Sequence, residues 1–490
     1  MLKKLISVVL CVTMLLCVPC LNVSAVEMTY DEWEEYWANG GEISNAQMMS
    51  PGSNESERNF SWYSPLDAGK CSVKISLDPE MKTDVRSFPG TWVNTLQGDR
   101  SNKVTVTGLN PGTTYYYTCC TDLGETAVRS FKTDSGNDFS AVYLTDIHIS
   151  EESKRGTDTK GGVSRVKEQS HHLGQTLGAA LERNPDISLL LSAGDQGSNG
   201  YREEYEGLVA PKETFGISVA PTLGNHDRKN IDYRFFTNNP NEDTNAFLKS
   251  YAGGDYWFVK GDVLFLDFDS NCGSMTNHYR FIKNALKANP DVKWRVAMMH
   301  HDLYGDRKPS RESETKLMRM LWTPVFDEFG FDLVLMGHSH YYTVSDVIYD
   351  NKVTGKTGQN GAVTDPCGTV YMVSGSVNRP ASYAENVPVG DKIGFAYLPE
   401  EKVTVYNILD FSESSIKISS YTVEKGECFN TLTITKTSQK GGHPDDHGDW
   451  YGGIVRFIGA VFTFFDNIGV YNNVKNNGVD ISFFKMWFGR

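Results

Sequence analysis

The stretch Phe139-Ser-Ala-Val-Tyr-Leu-Thr-Asp-Ile-His148 joins an apolar run to an aspartate and a histidine. The run 139–144 is apolar almost throughout, which is typical of a strand whose sheet is covered on both faces. Apolar residues over 163–183 and 314–329 follow the helical period. Further short apolar runs, among them 263–268, 294–299 and 333–336, are predicted as strands. The alternation predicts an α/β fold with a β-sandwich core flanked by helices.

Five short motifs each follow a predicted strand and carry side chains that can bind metal ions. They are Asp146-Ile147-His148, Gly194-Asp195, Gly224-Asn225-His226-Asp227, His300-His301 and Gly337-His338-Ser339-His340. In α/β folds such strand-end residues converge in a crevice at the carboxyl edge of the sheet. Oxygen and imidazole donors without thiolates suit Mn²⁺, Fe²⁺ or Zn²⁺, and a pair of ions needs a carboxylate that bridges them. The motifs therefore predict a site for two divalent metal ions.

One of these motifs leaves its ligand open. His300 and His301 are neighbours at the end of a predicted strand, and neighbours along a strand point to opposite faces. Only one of the two imidazoles is therefore expected to face the metal ions.

Residues 44–135 have a different texture, because short alternating runs are separated there by Gly, Pro and Asp. This pattern predicts an all-β domain. The string Val104-Thr-Val-Thr-Gly-Leu-Asn-Pro-Gly-Thr-Thr-Tyr-Tyr-Tyr117 resembles the fibronectin type III pattern, so we interpret the region as an immunoglobulin- or fibronectin III-like domain. Cys119 and Cys120 lie on opposite faces of a predicted strand, and at most one of them is expected to pair inward, with Cys71 as the candidate partner.

The order of the five motifs resembles the calcineurin-like metallophosphoesterase superfamily, and with the preceding β domain it resembles the secreted purple acid phosphatases. The resemblance covers about residues 46–436 and implies the metallophosphoesterase fold over 136–436, with a dinuclear metal centre. It also implies that His300 stands where the family has its ligand. Carried over motif by motif, the ligands would be Asp146, His148 and His340 for the first metal, Asp195 as the bridge, and Asn225, His300 and His338 for the second.

The resemblance implies a catalytic role for two further residues. His226 would face the scissile phosphate without binding metal, and would stabilise its oxygens or protonate the leaving group. Asp227 would orient the imidazole of His226 or, alternatively, serve the backbone of its own loop.

The sequence departs from the purple acid phosphatases after the bridging carboxylate. Those enzymes have a metal-binding tyrosine three residues further on, whereas Asp195 is followed by Gln196, Gly197 and Ser198. His148 stands where those enzymes typically lack a ligand. We therefore expect a colourless centre of two divalent ions, Mn, Zn or Fe.

The expected activity is that of a metal-dependent phosphoric ester hydrolase acting on a small phosphorylated substrate. We favour an acid phosphatase-like monoesterase, and the alternative on the same site is a phosphodiesterase or nucleotide hydrolase. A non-enzymatic envelope-binding protein with a vestigial phosphatase body is the alternative from another class. The formal net charge of −14 over 490 residues disfavours a nucleic-acid coat protein, because phosphate backbones would be repelled.

The two ends of the chain differ from its body. Residues 1–25 have a basic start, an apolar run and a Val23-Ser24-Ala25 cleavage pattern, which predicts a signal peptide and a secreted or extracellular protein. Residues 437–448 are interpreted as a linker. Residues 449–490 form an amphipathic segment, and the apolar face of 454–468 suits either peripheral contact with a membrane or envelope, or a helix docked on the protein. We favour the docked helix, because the polar face lacks the Lys and Arg that anionic lipids attract.

Overall fold

The computed structural model describes residues 46–150, 165–244, 246, 249–304, 312–382, 394–397 and 399–437, together with Asp31. The predicted signal peptide and amphipathic segment, and all but the first residue of the predicted linker, lie outside these residues. Among the helices of the described part of the chain, none combines the length and apolarity that crossing a membrane requires.

The N-terminal region is an all-β sandwich, as predicted. Its described strands form one sheet in the order β1-β2-β6-β5 and a second in the order β4-β3-β7-β8, with β9 paired to β7. Phe60, Val73 and Tyr117 are among the side chains that fill the space between the sheets. The strands are β1 Gln47–Pro51, β2 Arg58–Pro65, β3 Cys71–Ser76, β4 Arg86–Pro89, β5 Thr91–Asn94, β6 Asp99–Val106, β7 Thr114–Thr121, β8 Gly124–Glu125 and β9 Arg129–Lys132.

The cysteines of this region do not pair. Cys71 lies opposite Thr121 in the register of β3 and β7, and its thiol approaches the carbonyl of Thr91 instead. All six cysteines of the described residues are free, so the suggested pairing of Cys71 with one of its neighbours on β7 is wrong for this structure.

The C-terminal body contains two larger sheets. One has the order β12-β11-β10-β23-β24-β25-β20 and the other β13-β14-β15-β16-β21-β17-β22, while β18 and β19 form a separate pair. The strands are β10 Phe139–Leu144, β11 Ile187–Ser192, β12 Ser218–Pro221, β13 Tyr256–Lys260, β14 Val263–Phe268, β15 Trp294–Met299, β16 Leu333–Met336, β17 Tyr342–Ser345, β18 Val347–Tyr349, β19 Lys352–Gly355, β20 Gly361–Thr364, β21 Val370–Val373, β22 Gly394–Tyr397, β23 Val405–Phe411, β24 Ser415–Thr422 and β25 Cys428–Thr435.

Each large sheet is covered on both faces. Along β10, Tyr143 packs into the core between the two sheets, whereas its neighbours Val142 and Leu144 pack on the helical side. This alternation explains why the strand is apolar throughout, since both of its faces exclude water. The described helices are α1 Arg165–Arg183, α2 Arg202–Val209, α3 Asp232–Phe236, α4 Met275–Ala288 and α5 Glu312–Glu328, and short 3₁₀ turns span Lys212–Thr214 and Asp227–Lys229.

The layers confirm the predicted fold class. Helices α1 and α2 pack on the first sheet, and α4 and α5 pack on the second, so the sandwich core is flanked on both sides. Strands β10, β11 and β12 run parallel in the first sheet, as do β14, β15, β16 and β21 in the second. Their carboxyl ends therefore share one edge of the molecule, and all five motifs begin there.

The N-terminal sandwich packs directly on the body. Ala46, which precedes β1, and Met48, within β1, are buried in the same apolar cluster as Val142 and Leu144 of β10. The side-chain amide of Asn238, which follows α3, also donates to two carbonyls of the sandwich at 3.2 Å.

Candidate metal centre

The backbone is strained at most of the predicted metal ligands. Five of them have φ in the left-handed region: 49° at Asp146, 54° at His148, 53° at Asp195, 73° at His338 and 67° at His340. Residues other than glycine seldom adopt this conformation, and it costs of order 1–3 kcal/mol at each position. Such strain persists where the surrounding structure enforces it, and here it turns each side chain sharply from its strand toward a common point.

Two motif glycines are required by close approach. A Cβ at Gly194 would lie 2.4 Å from Nδ1 of His300, and the residue also has a φ of +94°. A Cβ at Gly224 would lie 2.2 Å from both the backbone nitrogen and Oδ1 of Asp195. Both glycines therefore let one strand-end loop touch a ligand from another.

The first group of predicted ligands converges. Nε2 of His340 lies 3.3 Å from Oδ1 of Asp146, and Nε2 of His148 lies 3.7 Å from the same oxygen. The two Nε2 atoms are 3.1 Å apart. All three side chains are at least nine-tenths buried.

The second group converges beside it. Oδ1 of Asn225 lies 3.1 Å from Nε2 of His300 and 3.0 Å from Nδ1 of His338, and these two imidazole nitrogens are 3.3 Å apart. His300 is fully buried, and Asn225 and His338 are partly buried.

Asp195 lies between the two groups. Its Oδ2 is 3.7 Å from Nε2 of His148 in the first group and 3.3 Å from Nε2 of His300 in the second. Its Oδ1 accepts a hydrogen bond of 2.7 Å from the backbone N–H of His226. The carboxylate is therefore held by one oxygen and faces both imidazoles with the other.

Second contacts orient the imidazoles. Nδ1 of His300 lies 2.9 Å from the carbonyl of Ala193, and Nδ1 of His340 lies 3.2 Å from the carbonyl of Arg379. A carbonyl can only accept, so both rings carry their proton on Nδ1 in these contacts and present a lone pair on Nε2 to the centre.

The residues present fit a pair of divalent ions. Oδ1 of Asp146 is buried and has no hydrogen-bond partner. Nε2 of His148 lies 3.1 Å from the Nε2 lone pair of His340, so a proton or a cation is needed between the two nitrogens. Carboxylate, amide and imidazole donors without thiolates suit divalent ions of this kind.

Of the two neighbouring histidines, His300 is the one whose Nε2 faces Asp195 and Asn225. The ring of His301 turns away to place Nδ1 2.8 Å from the hydroxyl of Ser270, and its Nε2 lies 3.8 Å from Glu314. Atoms of His301, Glu314 and His338 lie close enough to hold a cation as well. Sequence reasoning did not identify this contact, because Glu314 comes from the first turns of α5 rather than from a strand end.

His226 stands at the edge of the centre. Its Nε2 is 3.9 Å from Oδ2 of Asp195, and its Nδ1 is 2.5 Å from the carbonyl of Ser198 and 2.7 Å from Nζ of Lys229. Burial lowers its pKa, although the Asp195 carboxylate acts in the opposite direction.

Asp227 accepts hydrogen bonds from loop backbone, which is the second of the two roles that the sequence left open. Its Oδ2 accepts hydrogen bonds from the backbone N–H groups of Gly224 and Gln196, and its Oδ1 accepts one from that of Gly197. Burial and the neighbouring Asp195 carboxylate raise the pKa of Asp227 to about 7. Asp227 thus fastens the loop after β12 to the loop after β11.

Two basic residues near the centre were missed in the sequence. Nη2 of Arg379 lies 2.9 Å from the hydroxyl of Ser198, and Lys229 contacts His226. Arg379 follows β21, whose carboxyl end lies at the same edge as the five motifs. The strand-end argument applies to it equally, but a lone arginine has no motif around it.

Comparison with known proteins agrees with the fold. Residues 139–342 match the family model described as calcineurin-like phosphoesterase, and residues 45–133 match the one described as the purple acid phosphatase N-terminal domain. Residues 139–342 therefore form a calcineurin-like phosphoesterase domain. More particularly, the chain carries a calcineurin-like phosphoesterase domain preceded by a purple acid phosphatase N-terminal domain.

Among curated proteins, the chain is similar to two plant purple acid phosphatases. It is 22% identical over 311 residues to purple acid phosphatase 15 of Arabidopsis thaliana, which is 56% of this chain and 52% of that protein. It is 21% identical over 182 residues to a purple acid phosphatase of Glycine max, which is 36% of this chain and 37% of that protein. The chain therefore spans about half or less of the length of these relatives.

Among solved structures, the fold is similar to purple acid phosphatase PPD1 from yellow lupin seeds. The TM-score is 0.60 at 13% identity, over 81% of this chain and 75% of that one. The structure of PhoD is similar with a TM-score of 0.51 at 10% identity, over 86% of this chain and 98% of that one.

Proposed function

We propose that this protein hydrolyses phosphate esters with two divalent metal ions held by the residues described above. One observation carries the proposal: a single oxygen of Asp195 faces imidazoles of both ligand groups at 3.7 and 3.3 Å. Asp146, His148 and His340 would hold one ion, Asn225, His300 and His338 the other, and Asp195 would bridge them. When bound, such a pair activates water and withdraws charge from phosphoryl oxygens.

His226 is proposed to act on the substrate directly. Its Nδ1 is engaged by the carbonyl of Ser198, so Nε2 is the nitrogen left to face the centre. Nε2 can donate a proton to a developing alkoxide only from the cationic ring, and burial makes that cation a stronger acid because it disfavours the charged form. Asp227 is proposed to support this step only by fixing the loop that carries His226.

The metals are proposed to be divalent Mn, Zn or Fe, and the centre to be colourless. The support is chemical, since Ser198 stands where a tyrosine would supply the phenolate that produces the purple colour. A visible absorption spectrum of the metal-loaded protein tests this, and an intense purple band would contradict it.

Phosphomonoesters are the favoured substrates, and phosphodiesters or nucleotides are the alternative on the same site. The names of the plant relatives support the monoesterase. The non-enzymatic alternative is disfavoured because the predicted ligand set is complete and its members converge. No specific observation among the described residues favours that alternative.

We further propose that the protein acts outside the cytoplasm after residues 1–25 are removed. The support is the signal-like pattern of those residues, and 454–468 is proposed as a segment that contacts the envelope or docks on the body. Deleting the chain after Lys440 and measuring envelope association tests the second point. Unchanged partitioning would rule out the envelope contact.

The central experiment is metal analysis of the purified protein, followed by a substrate panel. We expect about two divalent ions per chain and turnover of para-nitrophenyl phosphate that exceeds turnover of bis(para-nitrophenyl) phosphate. Turnover of the diester alone would favour the phosphodiesterase. Bound metals without turnover of either would favour the non-enzymatic protein.

A further inference from the structure

Ser198 connects the centre to a basic rim. Its hydroxyl lies 2.9 Å from Nη2 of Arg379 and 3.4 Å from Nδ1 of His148, a predicted ligand of the first metal. The side chain is buried, with 4% of the residue exposed. The position three residues after Asp195 therefore presents a guanidinium to the site instead of a phenolate.

A second cation, the ammonium group of Lys229, is hydrogen-bonded to the carbonyl of Ser198. Nζ of Lys229 donates to it at 3.0 Å and lies 2.7 Å from Nδ1 of His226. Among the described residues no carboxylate forms an ion pair with Lys229. The ammonium group is thus placed beside the catalytic imidazole by contacts with uncharged groups.

The backbone of Arg379 is hydrogen-bonded to the loops that carry the predicted metal ligands. Its backbone N–H donates to the hydroxyl of Ser376 at 2.9 Å, and that hydroxyl donates to the carbonyl of Asp146 at 2.6 Å. Its own carbonyl accepts from Nδ1 of His340. Both neighbours are predicted ligands of the first metal, so the guanidinium is fixed relative to that side of the centre.

We propose that Arg379 and Lys229 form a cation pair that binds the non-bridging oxygens of a dianionic phosphate and selects phosphomonoesters over phosphodiesters. The inference rests on the proposed function and assigns its substrate class to two residues. A monoester carries three non-bridging oxygens and close to two charges at neutral pH, whereas a diester carries two oxygens and one charge. The guanidinium and the ammonium together supply two positive charges, which match a dianionic monoester and exceed the single charge of a diester.

Both residues can reach a substrate. Lys229 is exposed and Arg379 is partly exposed, while the ligands beneath them are buried. A phosphate that enters from solvent would therefore meet the cation pair on its way to the centre. The chain as a whole is acidic, so this local positive charge also counters its long-range repulsion of phosphate.

The test replaces each cation in the metal-loaded, full-length protein. For Arg379→Gln and Lys229→Gln we expect kcat/KM for para-nitrophenyl phosphate to fall about 10- to 100-fold, the range for one charged hydrogen bond. The value for bis(para-nitrophenyl) phosphate should change by less than about threefold, and Arg379→Lys should recover part of the loss. Metal content should be unchanged.

Calorimetry supplies a readout that is independent of turnover. We expect the Kd of inorganic phosphate to rise at least about tenfold in each variant, and that of dimethyl phosphate, a monoanion, to stay within about threefold. Lys417→Gln is the matched control, because Lys417 is exposed on β24 opposite Asp410, near the amino end of β10 and away from the centre. This variant removes the same charge, and the Kd values of inorganic phosphate and dimethyl phosphate should both stay unchanged.

The outcomes separate this inference from the proposed function. Equal losses on monoester and diester, or no loss on either, would overturn the cation pair and leave the phosphoesterase intact. Wild-type protein that binds metals but turns over neither ester would overturn the function, and the two Kd values would still decide the selectivity. If Arg379→Gln lost metal, Lys229→Gln alone would decide, because its side chain is exposed and touches no proposed ligand.

Discussion

The two ends of the parallel strands treat buried charge in opposite ways. At the amino end, Nζ of Lys436 lies 2.6 Å from Oδ1 of Asp332, and both side chains are at least 97% buried. Nζ of Lys260 similarly lies 2.7 Å from Glu55 in the N-terminal sandwich. At the carboxyl end, the equally buried Oδ1 of Asp146 instead faces imidazole nitrogens, Nε2 of His340 at 3.3 Å and Nε2 of His148 at 3.7 Å.

This difference separates residues that stabilise the fold from residues that carry the chemistry. The two charges of an ion pair neutralise each other, so the pair does not attract a further charged ligand. Metal-ligating nitrogen and oxygen atoms that face each other without a shared proton repel one another unless a cation lies between them. The folded chain holds them together despite this repulsion, at a cost in stability. We expect substitutions at the two ends to have opposite consequences for stability and activity.

The largest expected effect is at the bridging carboxylate. Asp195→Ala should lose bound metal and reduce turnover at least about 10³-fold, because the metal pair supplies several kcal/mol of transition-state stabilisation. Elemental analysis and the para-nitrophenyl phosphate assay measure the two losses. The variant should still fold, since removal of a strained and desolvated carboxylate relieves the site. Metal and turnover that survive the change would show that the ligand assignment is wrong.

At the opposite end of the strands, Lys436→Met should destabilise the protein without changing the chemistry. It leaves Asp332 buried without its cation, which typically costs about 3–5 kcal/mol in the free energy of unfolding. Denaturant unfolding measures the cost, and kcat of the folded fraction should be unchanged. The double variant with Asp332→Asn is the control and should recover much of the stability. A loss of kcat larger than the loss of folded protein would contradict the claim that this ion pair serves stability and not the chemistry.

His226→Ala should keep the metals and lose turnover by about 10²- to 10³-fold, because the imidazole supplies a proton rather than a ligand. The same assays measure both quantities. His172→Ala is a suitable control, since His172 lies exposed on α1. Loss of metal in His226→Ala would move this residue into the ligand set.

The smallest expected effect concerns pH at the amino end. Burial alone would raise the pKa of Glu55, but Arg58 and Lys260 together hold it below the ordinary value of 4.5. A lowered folded-state pKa contributes stability above the unfolded pKa, and this contribution is lost as the pH falls through the folded value. Glu55→Gln should therefore lower Tm by a few degrees at neutral pH, about 1 kcal/mol, and the difference from wild type should shrink below about pH 4.5. Thermal scans at several pH values measure it, and a difference that grows in acid would contradict the sign.

Much of the fold followed from the sequence where strands are buried on both faces. The apolar runs 139–144, 263–268, 294–299 and 333–336 are strands to the residue. Strands with an exposed face gave a weaker signal. β20 is Gly361–Thr364, alternates between half-buried and exposed residues, and is fixed only by its parallel pairing with β25 far along the chain.

Like the fold, the site was predictable where its signal is local in the sequence, and not where it depends on distant contacts. Ligands at strand ends are local in sequence, so their motifs were visible. Contacts made by folding were not visible: the carboxylate of Asp227 turns to backbone N–H groups of another loop, and Arg379 meets Ser198 across 181 positions of sequence. Which nitrogen, oxygen or ring face reaches a partner depends on loop packing that no single motif encodes.

The position of β1 has a consequence for how the molecule folds. Ala46 and Met48 are part of the apolar cluster that also contains Val142 and Leu144, so the sandwich and the body share a core rather than a linker. We expect the two regions to melt in one cooperative transition. Neither region is then an independent folding unit, because the N-terminal sandwich supplies part of the apolar cluster that stabilises the catalytic body.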